Sequence, residues 1–424
     1  MAIKLEKRSG KRPIFYGWWI VLSAFISNFV NVGTSGYALT VMLLPMQEAF
    51  GVTRGIISLA PVARNLSSAF FAPLLGSHMD KPGRARTIMM GGAITGCLSL
   101  VLTGVSNSVW FFLLAYGILG GLTMVSAGNM MGNVLLAKWF IKKRARATSL
   151  SAMGIALGGV VMVPITTLIL GSVGWRWTWV ILGISGLLIL LPLAFFVVKT
   201  EPEQVGMKPD GETDETTPNK GPISAIQEVQ WTRAEAIRTP TFWILNVVTG
   251  MIIAIGGGVM LHLSAFLQDD GFSRGMASTA VTVFSLGSLC SYTFWGYLLD
   301  RVPPRVLIIL AHALLASGIA IMLYTNSAIA IQIGAFMYGW GFGASPITRV
   351  IWANYYGRRL QGSIQGIVMP FSLFATMSGP LIGGFLHDIT GDYMTAFNIF
   401  IGMGISASIL ALFAVPPKKK LSQI

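Results

Sequence analysis

Arg64 and Arg349 each stand inside a long apolar stretch that contains no Asp or Glu. A guanidinium stays charged at any working pH and offers five N–H donors and no acceptor, so it is suited to holding an anion. Arg64 precedes Asp80 by sixteen residues, about 24 Å along a helix. Arg349 precedes Tyr356 by seven residues, about 10 Å. If both side chains point straight into one cavity, they differ in depth by about 14 Å. One would then bind a carboxylate while the other draws anions in or closes an inner gate. The plainer alternative is an arginine bonded to backbone carbonyls or reaching out to the interface, which is easier for Arg349. His262 follows Gly256, Gly257 and Gly258. Histidine titrates between about pH 5 and 8, although a lone helical histidine is more often a satisfied packing residue.

The sixteen carboxylates sharpen this reading. Glu48, Asp269, Asp270, Asp388 and Asp392 fall toward one set of segment ends, and Asp80 and Asp300 toward the other. Glu6 lies near the start of the chain, and the remaining eight lie in or beside a central polar stretch. None falls in mid-segment. A carrier of cations would want a buried carboxylate, whereas this chain has buried arginines, so a positive field and an anionic ligand are expected. Asn28, Tyr116, Asn133, Tyr292 and Tyr338 are further candidate contacts, though each alone serves as often as a bond between helices. Asn31, Tyr37 and Asn129 belong to the same set.

The elements that must position these groups follow from composition. Of 424 residues, 54% are hydrophobic and 11% charged, against about 25% charged in an ordinary soluble domain. Surfaces so poor in charge are not wet, which excludes a soluble enzyme. Long apolar runs without alternation select an all-α membrane protein. Helices are expected near 14–44, 53–77, 86–105, 109–137, 147–170 and 176–198, then near 241–267, 276–299, 305–325, 327–353, 362–386 and 394–415. The expected organisation is a six-helix half at 1–198, a linker at 199–240 and a second half at 241–424. Of the 30 Lys and Arg, 25 lie on alternate loops and the two tails, which places both termini and the linker in the cytoplasm. The net charge of +14 is read as this asymmetry and not as a nucleic-acid surface. Cys97 and Cys290 fall in apolar runs and read as packing residues. The basic start runs into an uncleaved first helix.

The halves repeat. Gly76-Ser-His-Met-Asp80-Lys81-Pro-Gly83-Arg84-Ala-Arg86 after the second helix is echoed by Gly296-Tyr-Leu-Leu-Asp300-Arg301 after the eighth. The first resembles the loop signature of the major facilitator superfamily, and the resemblance covers the chain. It implies twelve transmembrane helices in two six-helix pseudo-symmetric halves, with the substrate between them at mid-membrane. Gly76 and Gly83 suit close packing and a tight turn. Asp80 and Asp300 are expected to latch onto Lys142–Arg144 and Arg358–Arg359. Three pieces resemble the monocarboxylate porter and oxalate/formate antiporter group: Tyr16-Gly17-Trp18-Trp19, the stretch Trp139-Phe140 to Ala147, and Glu235 to Trp243. They imply transport of small carboxylates. Two positions differ from that group. Tyr292 stands where its members often carry arginine, and the eleventh helix lacks the lysine of the oxalate/formate proteins.

No phosphate-binding lysine loop, zinc spacing or nucleophile–base pair occurs, so no cofactor and no enzymatic chemistry are expected. The expected function is secondary active transport of small organic anions, monocarboxylates foremost, by alternating access, as proton symport with His262 as the coupling group or as anion exchange. The alternatives are efflux of amphipathic compounds and a non-transporting sensor on the same fold. The expected partners are the anionic substrate, protons and the lipid of a cell membrane, the inner membrane where a cell has two, with the protein monomeric.

Overall fold

The computed structural model describes residues 15–79, 83–140, 143–211, 231, 233–299, 301–344, 347, 351–352, 355–356 and 361–417. Arg349, Asp80, Lys81, Asp300, Lys142, Arg358 and Arg359 lie outside the described residues.

Among the described residues, twelve long helices make two bundles of six. The first holds α1 (Gly17–Phe50), α2 (Arg54–Met79), α3 (Arg84–Gly104) and α4 (Val109–Trp139). Its α5 and α6 are the two legs, 144–173 and 175–197, of a stretch that turns at Gly174. The second bundle holds α7 (Pro240–Asp269), α8 (Arg274–Leu299), α9 (Pro304–Leu323), α10 (Ala328–Phe342), α11 (Gln361–Thr390) and α12 (Met394–Phe413). Residues 347, 351–352 and 355–356 beyond α10 are helical as well.

Local differences from the expected boundaries have physical causes. α1 runs on through Pro45 and stops at Gly51, whose φ of 62° ends the helix in the left-handed region. A residue with a Cβ adopts that turn at a cost, and glycine does so freely. Gly174, at φ 74° and ψ 171°, makes the corner between α5 and α6 without an intervening loop. α1 and α4 each contain a π-helical turn, at Val32–Tyr37 and Ala115–Leu119. Such turns are rare and often mark functional sites. α4 is broken once more at 127–128.

Among the described residues, seven stretches are long and apolar enough to cross a membrane by length and composition: α1, α3, α4, the α5–α6 pair, α7, α9 and α12. The helices that fall outside this set include α2, α8 and α11, and these meet the opposite bundle. α2 packs on α11, α5 on α8, and the last part of α1 on α7. Helices that face a polar interior carry more Ser, Thr, Asn and Gly than lipid-facing ones, so a purely hydropathic reading misses them. Toward lipid, large apolar side chains are exposed, among them Phe70, Leu168, Trp177, Phe196, Ile329 and Ile389. In water such exposure would be a liability; in a bilayer it is the outer wall.

At the end of the bundle that carries the chain termini, each half is closed by aromatic packing. Tyr16 stacks near Trp139 with ring centroids 5.5 Å apart and donates its hydroxyl to Val197 O at 2.9 Å. Trp139 Nε1 donates to Lys199 O at 3.0 Å, and Lys138 pairs with Glu201 at 3.1 Å. In the other half Trp231, Phe242, Trp352 and Tyr356 form the matching cluster. The aromatic pieces singled out in the sequence are therefore clasps between helix ends. Arg86 lies over the Phe195 ring at 4.1 Å, and Arg301 over Tyr297 at 3.9 Å. Gly83, at φ 76°, makes the turn into α3.

Candidate functional site

Arg64 sits ten residues into α2, facing α1 and α4. Its Nη2 donates to Asn31 Oδ1 at 2.7 Å and its Nη1 to the Tyr116 hydroxyl at 3.4 Å. The guanidinium lies 5.7 Å from the centre of the Tyr116 ring, a favourable placement for a cation. Tyr116 donates in turn to Ser35 O at 3.2 Å. Ser35 and Tyr116 belong to the two π-helical turns, so the contact that orients the Tyr116 ring beside the arginine joins the two locally widened turns of α1 and α4. Gly117 and Gly121 of α4 let α2 approach closely: a methyl on Gly121 would fall 2.6 Å from Arg64 O.

No carboxylate pairs with Arg64 among the described residues. Its Nε is buried and makes no hydrogen bond among them. Neutral acceptors thus hold the guanidinium in place and leave its charge uncompensated. At mid-membrane such a charge costs about 2.5–3.5 kcal/mol on insertion scales, a cost that only a functional use or an anion would offset.

Arg64 lines a cavity of about 280 Å³ between the two bundles. The first bundle contributes Asn28, Asn31, Asn65, Tyr116 and Asn129 to the walls, the second Gly257, Met260, Leu261, Thr376 and Pro380. A second, smaller cavity of about 30 Å³ lies behind Arg64 within the first bundle, with Ser99, Cys97 and Thr123 on its walls.

The bundles are fastened together at the end away from the termini. Arg54, at the start of α2, grips Asp269 at the end of α7 with both terminal nitrogens, Nη2 to Oδ1 at 2.8 Å and Nη1 to Oδ2. This is the bidentate geometry that makes arginine–carboxylate pairs strong. Asp388 of α11 accepts from the backbone N–H of Arg54 at 3.1 Å and of Gly55 at 2.9 Å. It supplies across the interface the cap that the first turn of α2 needs. His387 lies 3.4 Å from Asp269. Closer to the middle, Gly384 faces Ser58, Gly159 faces Ser285, and Thr167 bonds Ser278 at 2.7 Å.

His262 belongs to this fastening and is not among the residues lining the cavity. It is fully buried, with Nε2 2.9 Å from Pro380 O and 3.3 Å from Ser58 Oγ, and Nδ1 2.9 Å from the Tyr393 hydroxyl. Because a carbonyl can only accept, Nε2 carries a proton and donates it to Pro380 O. Tyr338 is buried too and donates to Gly256 O at 2.8 Å. Asn133 is exposed and donates to Asn129 Oδ1 at 2.7 Å, and Tyr292 is half-buried. Neither Tyr338, Asn133 nor Tyr292 lines the cavity, whereas Arg64, Asn28 and Tyr116 do. Sequence reasoning passed over Arg54, Asp269 and Asp388, because charges at helix ends look like ordinary loop residues. It also passed over Asn65, Met260, Thr376 and Pro380, which nothing in the sequence separates from packing positions.

The family model described as Major Facilitator Superfamily matches residues 24–277 and 242–424. Among curated proteins, the chain is 23% identical to monocarboxylate transporter 1 of Rattus norvegicus, over 96% of this chain and 88% of that protein. It is 24% identical to monocarboxylate transporter 11 of Mus musculus, over 93% and 86%. Among solved structures, a bacterial homologue of the human lysosomal transporter Spinster, in an inward-facing and occupied conformation, matches with a TM-score of 0.65. That match covers 96% of each chain at 16% identity, and it bears on the fold alone.

Proposed function

Because the chain belongs to the major facilitator superfamily, whose members are transporters and not enzymes, we propose that it carries small organic anions, monocarboxylates foremost, by alternating access. The observation that carries this reading is Arg64, an uncompensated cation on the wall of a 280 Å³ cavity between the bundles. The monocarboxylate transporters among its relatives support the same substrate class. Cationic substrates are disfavoured, since no carboxylate lines the cavity among the described residues.

The distribution of Lys and Arg supports a cytoplasmic position for both termini in a cell membrane. The halves then run over 1–198 and 241–424, with 199–240 as the linker, and the protein works as a monomer. On that orientation the Arg54–Asp269–Asp388 fastening closes the outer face, and the cavity belongs to an inward-facing state. The test is ligand-induced stabilisation of the purified protein, because a ligand that binds only the folded form raises its stability by mass action. Monocarboxylates raise the melting temperature of the unaltered chain, and Arg64→Gln abolishes the rise while leaving the unliganded melt cooperative. Equal stabilisation of both proteins, or stabilisation by lipophilic cations alone, refutes the reading.

For coupling we favour anion exchange, in which Arg64 neutralises each carboxylate in turn. His262 sits off the cavity wall with both ring nitrogens bonded, which supports this choice over proton symport through that histidine. Uptake into proteoliposomes is then much faster with internal anion than without it and leaves external pH unchanged. Uptake that instead rises as external pH falls, and loses that dependence in His262→Gln, restores symport.

A further inference from the structure

The Arg64 guanidinium borders two cavities. Its Nη1 and Nη2 bond Tyr116 and Asn31, which line the central one. Its Nε lies toward the small one. A methyl on Gly120 would fall 3.7 Å from Nε and 3.4 Å from Ser99 Oγ. Gly120 and Ser99 line the small cavity and are not among the residues lining the central one. Nε is buried, and among the described residues it makes no hydrogen bond. The hydroxyls around this small cavity already give their hydrogens to main-chain carbonyls. Thr34 donates to Val30 O at 2.8 Å, Ser99 to Ala115 O at 3.0 Å, Thr123 to Leu119 O at 2.8 Å, and Ser35 to Asn31 O. What they still present is oxygen lone pairs. Much of the remaining wall is apolar, Leu100 and Leu182 included.

We infer that this small cavity is a hydration site, holding water on Arg64 Nε, and that the water holds down the affinity of Arg64 for its anion. The second half rests on the reading of Arg64 as the anchor of the substrate; the first does not. A water accepts from Nε and donates to the hydroxyl oxygens, which gives it the two to four partners that a buried water needs. At about 10–15 Å³ for each, 30 Å³ is room for about two. A halide would find the Nε–H and at most the Asn31 amide, among oxygens that offer lone pairs and no hydrogen. The effect on binding follows from charge. The vacant protein carries the guanidinium unneutralised, whereas the loaded one carries an ion pair. Hydration of Nε therefore stabilises the vacant form more than the loaded one, and water and anion oppose each other through linkage.

The experiment fills the cavity in the purified full-length chain. Gly120 has φ −65° and ψ −36°, so alanine is unstrained there, and its methyl meets nothing closer than 3.4 Å. That methyl stands beside both Nε and Ser99 Oγ, on the ground a water bridging them would need. Alanine in place of a helical glycine ordinarily raises stability. In Gly120→Ala the unliganded melting temperature is instead expected to fall. Propanoate is expected to bind about three- to tenfold more tightly, a part of what a hydrogen bond to a charged group contributes. A higher melting temperature, or propanoate binding no tighter than in the parent, overturns the inference. A halide in the cavity overturns it as well: the parent, and not Gly120→Ala, would then change its melting temperature when chloride is replaced by sulfate, which is too large for 30 Å³. X-ray radiolysis reads the water without any variant. Radicals formed from bound water oxidise Cys97, which lines the cavity, even with a radical scavenger in the bulk. Labelling of Cys97 that the scavenger quenches overturns the hydration site, whether or not propanoate binds. Absence of Arg64-dependent propanoate binding in the parent refutes the function instead, and the radiolysis still decides the water.

Discussion

Arg64 is held by oxygens that carry no charge, and this is what keeps it available. Asn31 Oδ1 accepts at 2.7 Å and orients the fork without neutralising it. A carboxylate at the same place would do both. Asn31→Asp is therefore expected to fold at least as well as the parent, because it gives a buried cation its counter-ion. It is also expected to bind monocarboxylates at least about tenfold more weakly, since the ligand must displace an internal charge-assisted bond of about 1.5–3 kcal/mol. Titration of the variant beside the parent reads this directly. Unchanged affinity in a folded Asn31→Asp would mean that the carboxylate of the substrate does not sit on Arg64. The depth of Arg64 and its isolation from acids could be read by counting along the sequence. The arrangement of its partners could not, because Tyr116 and the Ser35 carbonyl that orients it lie on π-helical turns that no periodicity announces.

α2 is the element on which the two functional regions meet. Its first residue, Arg54, fastens the bundles, and Arg64 lies ten residues, about 15 Å, further along. Whatever tilts α2 moves both. The α2–α11 contact is the tightest place to test this. A methyl on Gly384 would fall 2.6 Å from Ser58 Oγ, 2.9 Å from Gly55 Cα and 3.1 Å from Arg54 O, and two of those three atoms are backbone. Gly384→Ala is thus expected to open the end of the bundle away from the termini without unfolding either half. Spin labels at Ala49 and Thr390, both exposed at that end, should report a longer distance. An unchanged distance distribution would show that the contact yields locally and that α2 and α11 do not govern opening. From sequence alone Gly383 and Gly384 could be read as close-packing residues, but which neighbour each meets could not. Gly383 faces His262 within its own half and Gly384 faces the other half, a difference fixed by helix rotation.

At the scale of the whole molecule, the twelve helices and their division into six and six were legible as apolar runs and a repeated loop, because lipid enforces helices of similar length. The lining of the cavity was not legible, since it depends on which faces of α4, α7 and α11 turn inward. An electrical consequence follows from the unneutralised guanidinium of Arg64. Among the described residues, an empty carrier presents one positive charge at the cavity, whereas a carrier holding a monoanion presents none. Moving a full elementary charge across a membrane is worth about 2.3 kcal/mol per 100 mV. The step that feels the membrane voltage is therefore the return of the empty protein, and the loaded step is indifferent to it. A negative interior draws the vacant site to face inward. Exchange of one monoanion for another should run at the same rate in proteoliposomes with or without an imposed potassium diffusion potential. Net release of the anion alone should quicken as the interior is made more negative, and net entry should slow.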